Sequence, residues 1–414
     1  MNLPISRRRL LTGLAAAAVL RAQRPRQLDP WTPGTLDIHH ISTGRGSCAF
    51  LLCPDGTTVM IDAGSIWPAD DVRKFEIDPK PNGSRRPGEW IARYVSRHMK
   101  AAGLEPGIDY AILTHFHDDH MGACWPGAPM SKYGPYRTTG LSDVGETIPV
   151  RKLIDRGYPD YAYPVPIDNV HQMNYRAFGA SLVERGSSVE RIRVGSGSQI
   201  ALVHKPSNYP EFSVRNIAAN GEVWTGSGDT TRCQFPELKA LKLEDYPTEN
   251  MCSLAIRLSY GRFDYYSAGD MSCDTRDGVA PWRDIETPAA RAAGPVEVAV
   301  ADHHGYVDAS GPEFVRALRP RAFVINAWDS AHPTMGALHN MLNEDLYPGP
   351  RDVYATAIKP ESVVAIRRLA ELKSRDGHVI FRVSPGGGDF RALITSNSDE
   401  SDQLRAEFGP YQCR

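Results

Sequence analysis

The sequence lacks three features that would point to particular classes of protein. It has no apolar run of about 20 residues, which excludes a multi-pass membrane protein. Its seven cysteines form no CxxC pair, which argues against a zinc site made of cysteines. It has no basic surplus, with 47 Lys and Arg against 49 Asp and Glu, whereas proteins that bind extended nucleic acid are usually basic. The 414 residues are 41% hydrophobic and 23% charged, the balance of a globular chain with a large core.

The N-terminus has the pattern of an export signal. Three consecutive arginines at 7–9 precede an apolar stretch at 10–20, and a small residue, Ala22, precedes a polar segment. Arginines in this position resemble a twin-arginine signal. We therefore predict a signal peptide at 1–22 that directs the protein to the periplasm or outside the cell, with no membrane span after its removal. An N-terminal anchor that stays attached is the alternative.

The remaining chain is predicted to form one large α/β domain. Residues 23–34 are predicted to be a linker, 35–400 the domain, and 401–414 a C-terminal tail. Two Pro- and Gly-containing stretches, 65–88 and 124–148, are predicted to be inserted loops. Short apolar strands alternate with helical patterns such as the one at 87–102, which is typical of a layered α/β fold.

A cluster of histidines and acids follows the short apolar strand at 110–113. Residues 114–120 read Thr-His-Phe-His-Asp-Asp-His. Side chains alternate along an extended chain, so His115 and His117 face the same side, and a turn can bring Asp119 and His120 beside them. Imidazole and carboxylate groups are typical ligands of zinc and similar divalent metals. Four such groups within six residues could serve two neighbouring metals.

This HxHxDH pattern is the signature of the metallo-β-lactamase superfamily, which the sequence resembles over most of its mature length. The resemblance implies a four-layer αββα sandwich with metals at one edge. It also implies roles for Asp270, after Ala-Gly, as the acid that bridges two metals, and for His303 or His304, before Gly305, as the last histidine ligand. Asp62, before Ala-Gly, would support the site. The full implied ligand set is His115, His117, Asp119, His120, Asp270, and His303 or His304.

Within the superfamily the sequence is most similar to competence-protein hydrolase domains, which have been linked to DNA degradation. The similarity lies in residues 250–258, Gly269-Asp270 and His303-His304-Gly305. A histidine of the family's third motif is not evident, so one metal position would be completed by water or by Asn250. The turn at 44–47 departs from the pattern of those domains. Its Arg45 is interpreted as a solvated turn residue, or else as a contact for an anionic substrate.

We therefore predict a metal-dependent hydrolase that uses one or two divalent ions, Zn²⁺ or alternatively Mn²⁺ or iron, to activate water. Asp119 would also accept the proton of that water, and His332 would donate a proton to the leaving group or else pack structurally. The predicted substrate is a phosphodiester, with no extended nucleic-acid surface. The alternatives are a small-molecule lactone, thioester or β-lactam, a non-catalytic metal-binding module, and a di-iron redox protein.

Overall fold

The computed structural model describes residues 26–66, 78–273 and 279–414. The predicted signal peptide at 1–22 lies outside these residues, as do parts of the predicted linker and of the first inserted loop. None of the helices in the described residues is long and apolar enough to cross a membrane.

Two mixed β-sheets form the centre of the molecule. Within the described residues, the first sheet has the strand order β17-β16-β15-β1-β2-β3-β4-β5-β6 and the second β14-β13-β12-β11-β10-β7-β8-β9. The strands of the first sheet are β1 Leu36–His40, β2 Ala49–Leu52, β3 Thr58–Ile61, β4 Ile108–Ile112, β5 Val150–Asp155, β6 Ser188–Arg191, β15 His378–Val383, β16 Asp389–Thr395 and β17 Leu404–Gln412. Those of the second sheet are β7 Phe212–Ala219, β8 Glu222–Trp224, β9 Thr231–Cys233, β10 Ala255–Tyr260, β11 Phe263–Ser267, β12 Val298–Val300, β13 Ala322–Ile325 and β14 Asp352–Ala355.

Helices cover the outer face of each sheet. Three pack against the first sheet, namely α1 Pro87–Ala101, α3 Leu141–Thr147 and α4 Val170–Glu184. Three pack against the second sheet, namely α5 Glu286–Ala293, α6 Pro312–Leu318 and α7 Met335–Leu342. The described residues also contain two short helices, α2 Asp118–Met121 and α8 Pro360–Ala365. The predicted αββα sandwich is thereby confirmed.

The apolar core has three parts, one between the two sheets and one between each sheet and its helices. Leu36 and Ile38 of β1 belong to the part between the sheets, as does Val298 of β12, while Phe50 of β2 points the other way, under the helices. Because both faces of each sheet are covered, the central strands are apolar on both sides and read as continuous buried runs. Each large apolar side chain buried in this way contributes roughly 1.5–3 kcal/mol.

Two predicted segments differ from the observed structure. Residues 404–412, predicted to be part of a C-terminal tail, form the edge strand β17, which pairs with β16. Its Phe408 and Tyr411 pack against the core between the sheets. The predicted loop at 124–148 contains helix α3, whereas the helix predicted at 87–102 is observed as α1. Proline occupies the first turn of α1, where its missing N–H costs no hydrogen bond.

The parallel strands of the two sheets bring the predicted site residues to one edge. In the first sheet β3 and β4 are parallel, and in the second β11, β12 and β13 are parallel. Loops after the carboxyl ends of such neighbouring strands lie side by side. The residues that follow these five strands are Asp62, the run 114–120, Asp270, 302–305 and Asn326.

Candidate metal centre

A loop after β4 presents the histidine cluster. His117 precedes the short helix α2, and the turn of this helix places Asp119 and His120 back beside the strand end. His115 and His117 are neighbours, with 3.1 Å between His115 Nε2 and His117 Nδ1. The expected grouping of these side chains is therefore observed.

Two sets of ligand atoms meet at this edge, and we name them position A and position B. Position A consists of Asp119, His120, Asp270 and His304, and position B consists of His115, His117 and Asp270. Within each set the ligand atoms all lie within 4.8 Å of one another. The structure thus brings together six of the predicted metal ligands and divides them between two neighbouring positions.

Asp270 is shared by the two positions through its two oxygens. Its Oδ1 lies 3.1 Å from His120 Nε2 and 3.5 Å from His304 Nε2, on the side of position A. Its Oδ2 lies 3.7 Å from His115 Nε2, on the side of position B. This is the placement expected of an acid that bridges two metals.

Two buried atoms of position A show that the residues present fit a cation. His120 Nε2 and Asp270 Oδ1 are buried without a hydrogen-bond partner. These two atoms lie only 3.1 Å apart, and because buried polar atoms normally have hydrogen-bond partners, a cation bound by both would satisfy them. Imidazole nitrogens and carboxylate oxygens suit Zn²⁺, Mn²⁺ and iron. The cluster can therefore hold one or two divalent metals.

Outer partners orient the histidines of position A. Asp62 Oδ2 accepts hydrogen bonds from His120 Nδ1 at 2.7 Å and from Thr114 Oγ1 at 2.9 Å. His304 Nδ1 donates to the carbonyl oxygen of Asn326 at 2.7 Å. In both rings the Nδ1–H is thereby engaged, which leaves Nε2 as the free ligand atom. Asp62 lies where a supporting residue was predicted.

Electrostatics in position A favour a buried ion cluster. Burial opposes the charged form of His120, but the surrounding carboxylates of Asp270 and Asp119 raise its pKa well above its ordinary value, and a metal ion would displace the proton from Nε2. Conversely, burial favours protonated carboxyls, but the neighbouring histidines, His120 first, hold the pKa of Asp119 and Asp270 well below their usual range. Both carboxylates are therefore ionised and available to a cation at neutral pH.

Several other predicted residues lie close to the centre. His303 Nε2 is 3.7 Å from Asp270 Oδ2 and 3.3 Å from the Asn250 side-chain nitrogen. His332 is buried and stacks on His304, with the ring centroids 4.7 Å apart. Burial, and then the proximity of His304, lower the pKa of His332 well below 6.5. A neutral ring is a poor proton donor, so this environment favours the structural alternative for His332.

The turn at 44–47 packs against the metal-binding loop. Ser47 N donates to the Asp119 carbonyl oxygen at 2.8 Å, and a Cβ at Gly64 would lie 1.8 Å from that oxygen. Arg45 is only 1% exposed, so its interpretation as a solvated turn residue is wrong. The glycine at 64 is required because the Asp119 backbone occupies the space of its side chain.

Two contributions to the site were missed by the sequence reasoning. The Trp328 indole Nε1–H donates to Asp119 Oδ2 at 2.9 Å. Glu249 Oε1 accepts from the backbone N–H of Phe116 at 2.8 Å, between the two histidines of position B. The position of Trp328 just after β13, at the same edge of the sheets, was the one signal that could have indicated it. No local pattern marks Glu249.

The fold and the site together define a mixed α/β sandwich protein with a buried His/Asp cluster suited to divalent metals. Residues 42–128 match the family model described as the metallo-beta-lactamase superfamily. This segment includes Asp62 and the whole histidine run. No curated protein matches the chain. A domain of this superfamily with a potential metal site is typical of a metal-dependent hydrolase.

Proposed function

We propose that the protein is an exported, metal-dependent phosphodiester hydrolase. The observation that carries this proposal is the pair of adjoining ligand sets, A and B, which share Asp270 through its two oxygens. Paired metal positions are typical of phosphatases and nucleases. Zn²⁺ is the proposed metal, with Mn²⁺ or iron as alternatives.

The residues of the chain have separate tasks in this proposal. When bound, divalent metals would supply Lewis acidity, lower the pKa of a water molecule toward about 7 and stabilise charge that develops on oxygen. Asp119 receives the proton of the attacking water, and the Trp328 N–H, 2.9 Å from Asp119 Oδ2, holds that carboxylate in place. Asp62 keeps the His120 ring oriented.

The choice of a phosphodiester rests on the similarity of residues 250–258 and 303–305 to competence-protein hydrolase domains, together with the paired positions. A lactone, thioester or β-lactam could be hydrolysed by the same site, because the fold alone does not determine the substrate. Export rests on the sequence pattern of residues 1–22.

One experiment compares the wild-type protein with His117→Ala and, as a control, His339→Ala, whose side chain is exposed on α7. Metal content and hydrolysis of bis(p-nitrophenyl) phosphate, a lactone and a β-lactam are measured on the same samples. We expect wild-type turnover of the phosphodiester. We also expect a loss of more than about 100-fold in His117→Ala, because changing even an outer partner of a metal ligand costs about 10–100-fold.

The outcomes separate the alternatives. Wild-type turnover by His117→Ala would contradict the assignment of the site. Faster turnover of the lactone or the β-lactam would move the substrate to that class. Bound metal without hydrolysis of any substrate would favour a non-catalytic metal-binding module.

A further inference from the structure

The two metal positions are unequally supplied with ligands. Among the residues that the structure describes, position A gathers four ligand groups, whereas position B gathers His115, His117 and Asp270. Structural and catalytic zinc sites in proteins usually have at least three protein ligands, and a fourth makes the set closed. Position B therefore has room for one more group.

His303 lies beside position B, whereas the next residue, His304, belongs to position A. Its Nε2 is 3.7 Å from Asp270 Oδ2, the oxygen that faces His115, while His304 Nε2 is 3.5 Å from Asp270 Oδ1. The backbone explains this division. His303 and His304 both have positive φ angles, 46° and 54°, a conformation that is uncommon for residues other than glycine. Such a turn sends two consecutive rings to different oxygens of one carboxylate.

The hydrogen bonds of His303 are those of a metal ligand. Its Nδ1 pairs with Asp308 Oδ1 at 2.7 Å, so the ring donates to a carboxylate and presents Nε2 toward position B. This carboxylate–histidine arrangement is the usual outer support of a ligating imidazole. Only the Asn250 side-chain nitrogen, 3.3 Å away, contacts Nε2 by a hydrogen bond in the described residues.

We propose that His303 is the fourth ligand of position B, so that the adjacent residues His303 and His304 bind different metal ions. His303 would then take the place of the histidine of the third motif, which is not evident in this sequence. The inference rests on the proposed metal-dependent function, and it assigns Asp308 as a positioning residue for His303. The competing ligand is Asn250, whose Oδ1 is buried without a partner.

The test measures binding of Zn²⁺ to the metal-free full-length protein by titration calorimetry against a competing chelator, with the stoichiometry from native mass spectrometry. His304→Ala removes a ligand of position A and should leave one tight site. Adding His303→Ala to it should weaken that remaining site by about 100-fold or more, and adding Asp308→Asn instead by about 10–100-fold. His339→Ala is the control for loss of an exposed histidine, and circular dichroism verifies the fold of each variant.

Four results would be decisive. Unchanged affinity after His303→Ala is added to His304→Ala would overturn the assignment. A loss on Asn250→Ala, with none on His303→Ala, would transfer the role to Asn250. If the folded wild-type protein binds no Zn²⁺, Mn²⁺ or iron, the proposed function fails as well, whereas wild-type turnover with an unaffected His303→Ala variant refutes only the present inference.

Discussion

The variant Arg156→Met should loosen the metal-binding loop from a distance. Arg156 follows β5 and donates to Glu249 through Nε at 2.8 Å and through a second, shorter hydrogen bond. Glu249 in turn accepts the Phe116 N–H, which lies between His115 and His117. The Arg156–Glu249 ion pair therefore fixes the backbone between the two histidines of position B. Removal of the guanidinium leaves Glu249 without its charged partner.

The cost can be worked out from burial and hydrogen bonding. The Arg156 side chain is 1% exposed and that of Glu249 is 15% exposed. Arg156 also donates to Tyr163 O at 2.9 Å and to Asn220 Oδ1 at 3.0 Å. Removing one partner of a buried ion pair costs about 3–5 kcal/mol, because the other charge stays buried. Since Glu249 retains some exposure and the Phe116 N–H, we expect a loss of about 3 kcal/mol in the free energy of unfolding.

Urea titrations followed by tryptophan fluorescence measure this loss, and Zn²⁺ titrations measure the effect on the loop, which we expect to be about 10–100-fold in affinity. Arg151→Met, in the strand β5 that precedes Arg156, is a matched control. Its ion pair with Asp109 is on the surface, with the Arg151 side chain 53% exposed, and should cost less than about 1 kcal/mol. Equal losses in Arg156→Met and Arg151→Met would refute the reasoning.

Two further predictions concern packing and pH. Gly64→Ala should weaken Zn²⁺ binding by roughly 10–100-fold, because the added Cβ would lie 1.8 Å from the Asp119 carbonyl oxygen. The control is Gly107→Ala, whose added Cβ would have no atom within 4 Å, and it should bind Zn²⁺ like the wild type in the same titration. Burial lowers the pKa of His39 from 6.5 to about 4, so between these pH values the unfolded chain binds more protons than the folded one. The contribution of His39 to the free energy of unfolding is therefore fully present above pH 6.5 and falls by about 3 kcal/mol as the pH decreases to 4. Urea titrations of the metal-free wild-type and His39→Gln proteins at pH 7.5 and 4 should show a smaller change in the free energy of unfolding with pH in the variant. An equal change in the two proteins would count against this explanation.

Local patterns in the sequence were sufficient for the elements that carry the site. The run at 114–120 follows a buried strand, and the spacing of its ligands depends only on the alternation of an extended chain and on one turn. The Gly-Asp at 269–270 and the His-His-Gly at 303–305 also follow apolar strands. Their carboxyl ends lie at a common edge because neighbouring strands that carry the site are parallel.

Local patterns were insufficient where a role depends on a distant partner. Arg156 and Glu249 are 93 residues apart, and Trp328 is 209 residues from Asp119. The strand β17 was missed for a related reason. It is an edge strand that contains Gly409 and Pro410, and its apolar side chains are only partly buried, so its sequence resembles a tail.

The sequence by itself determined the chemistry of this protein, namely which imidazoles and carboxylates could bind a metal and after which strands they come. The tertiary structure alone decided how they are divided, because the assignment of each ligand depends on which oxygen of Asp270 it faces. That choice follows from the left-handed turn at His303 and His304 and from the approach of two sheets. Contacts between residues far apart in the chain, such as these, leave no periodic trace in the sequence.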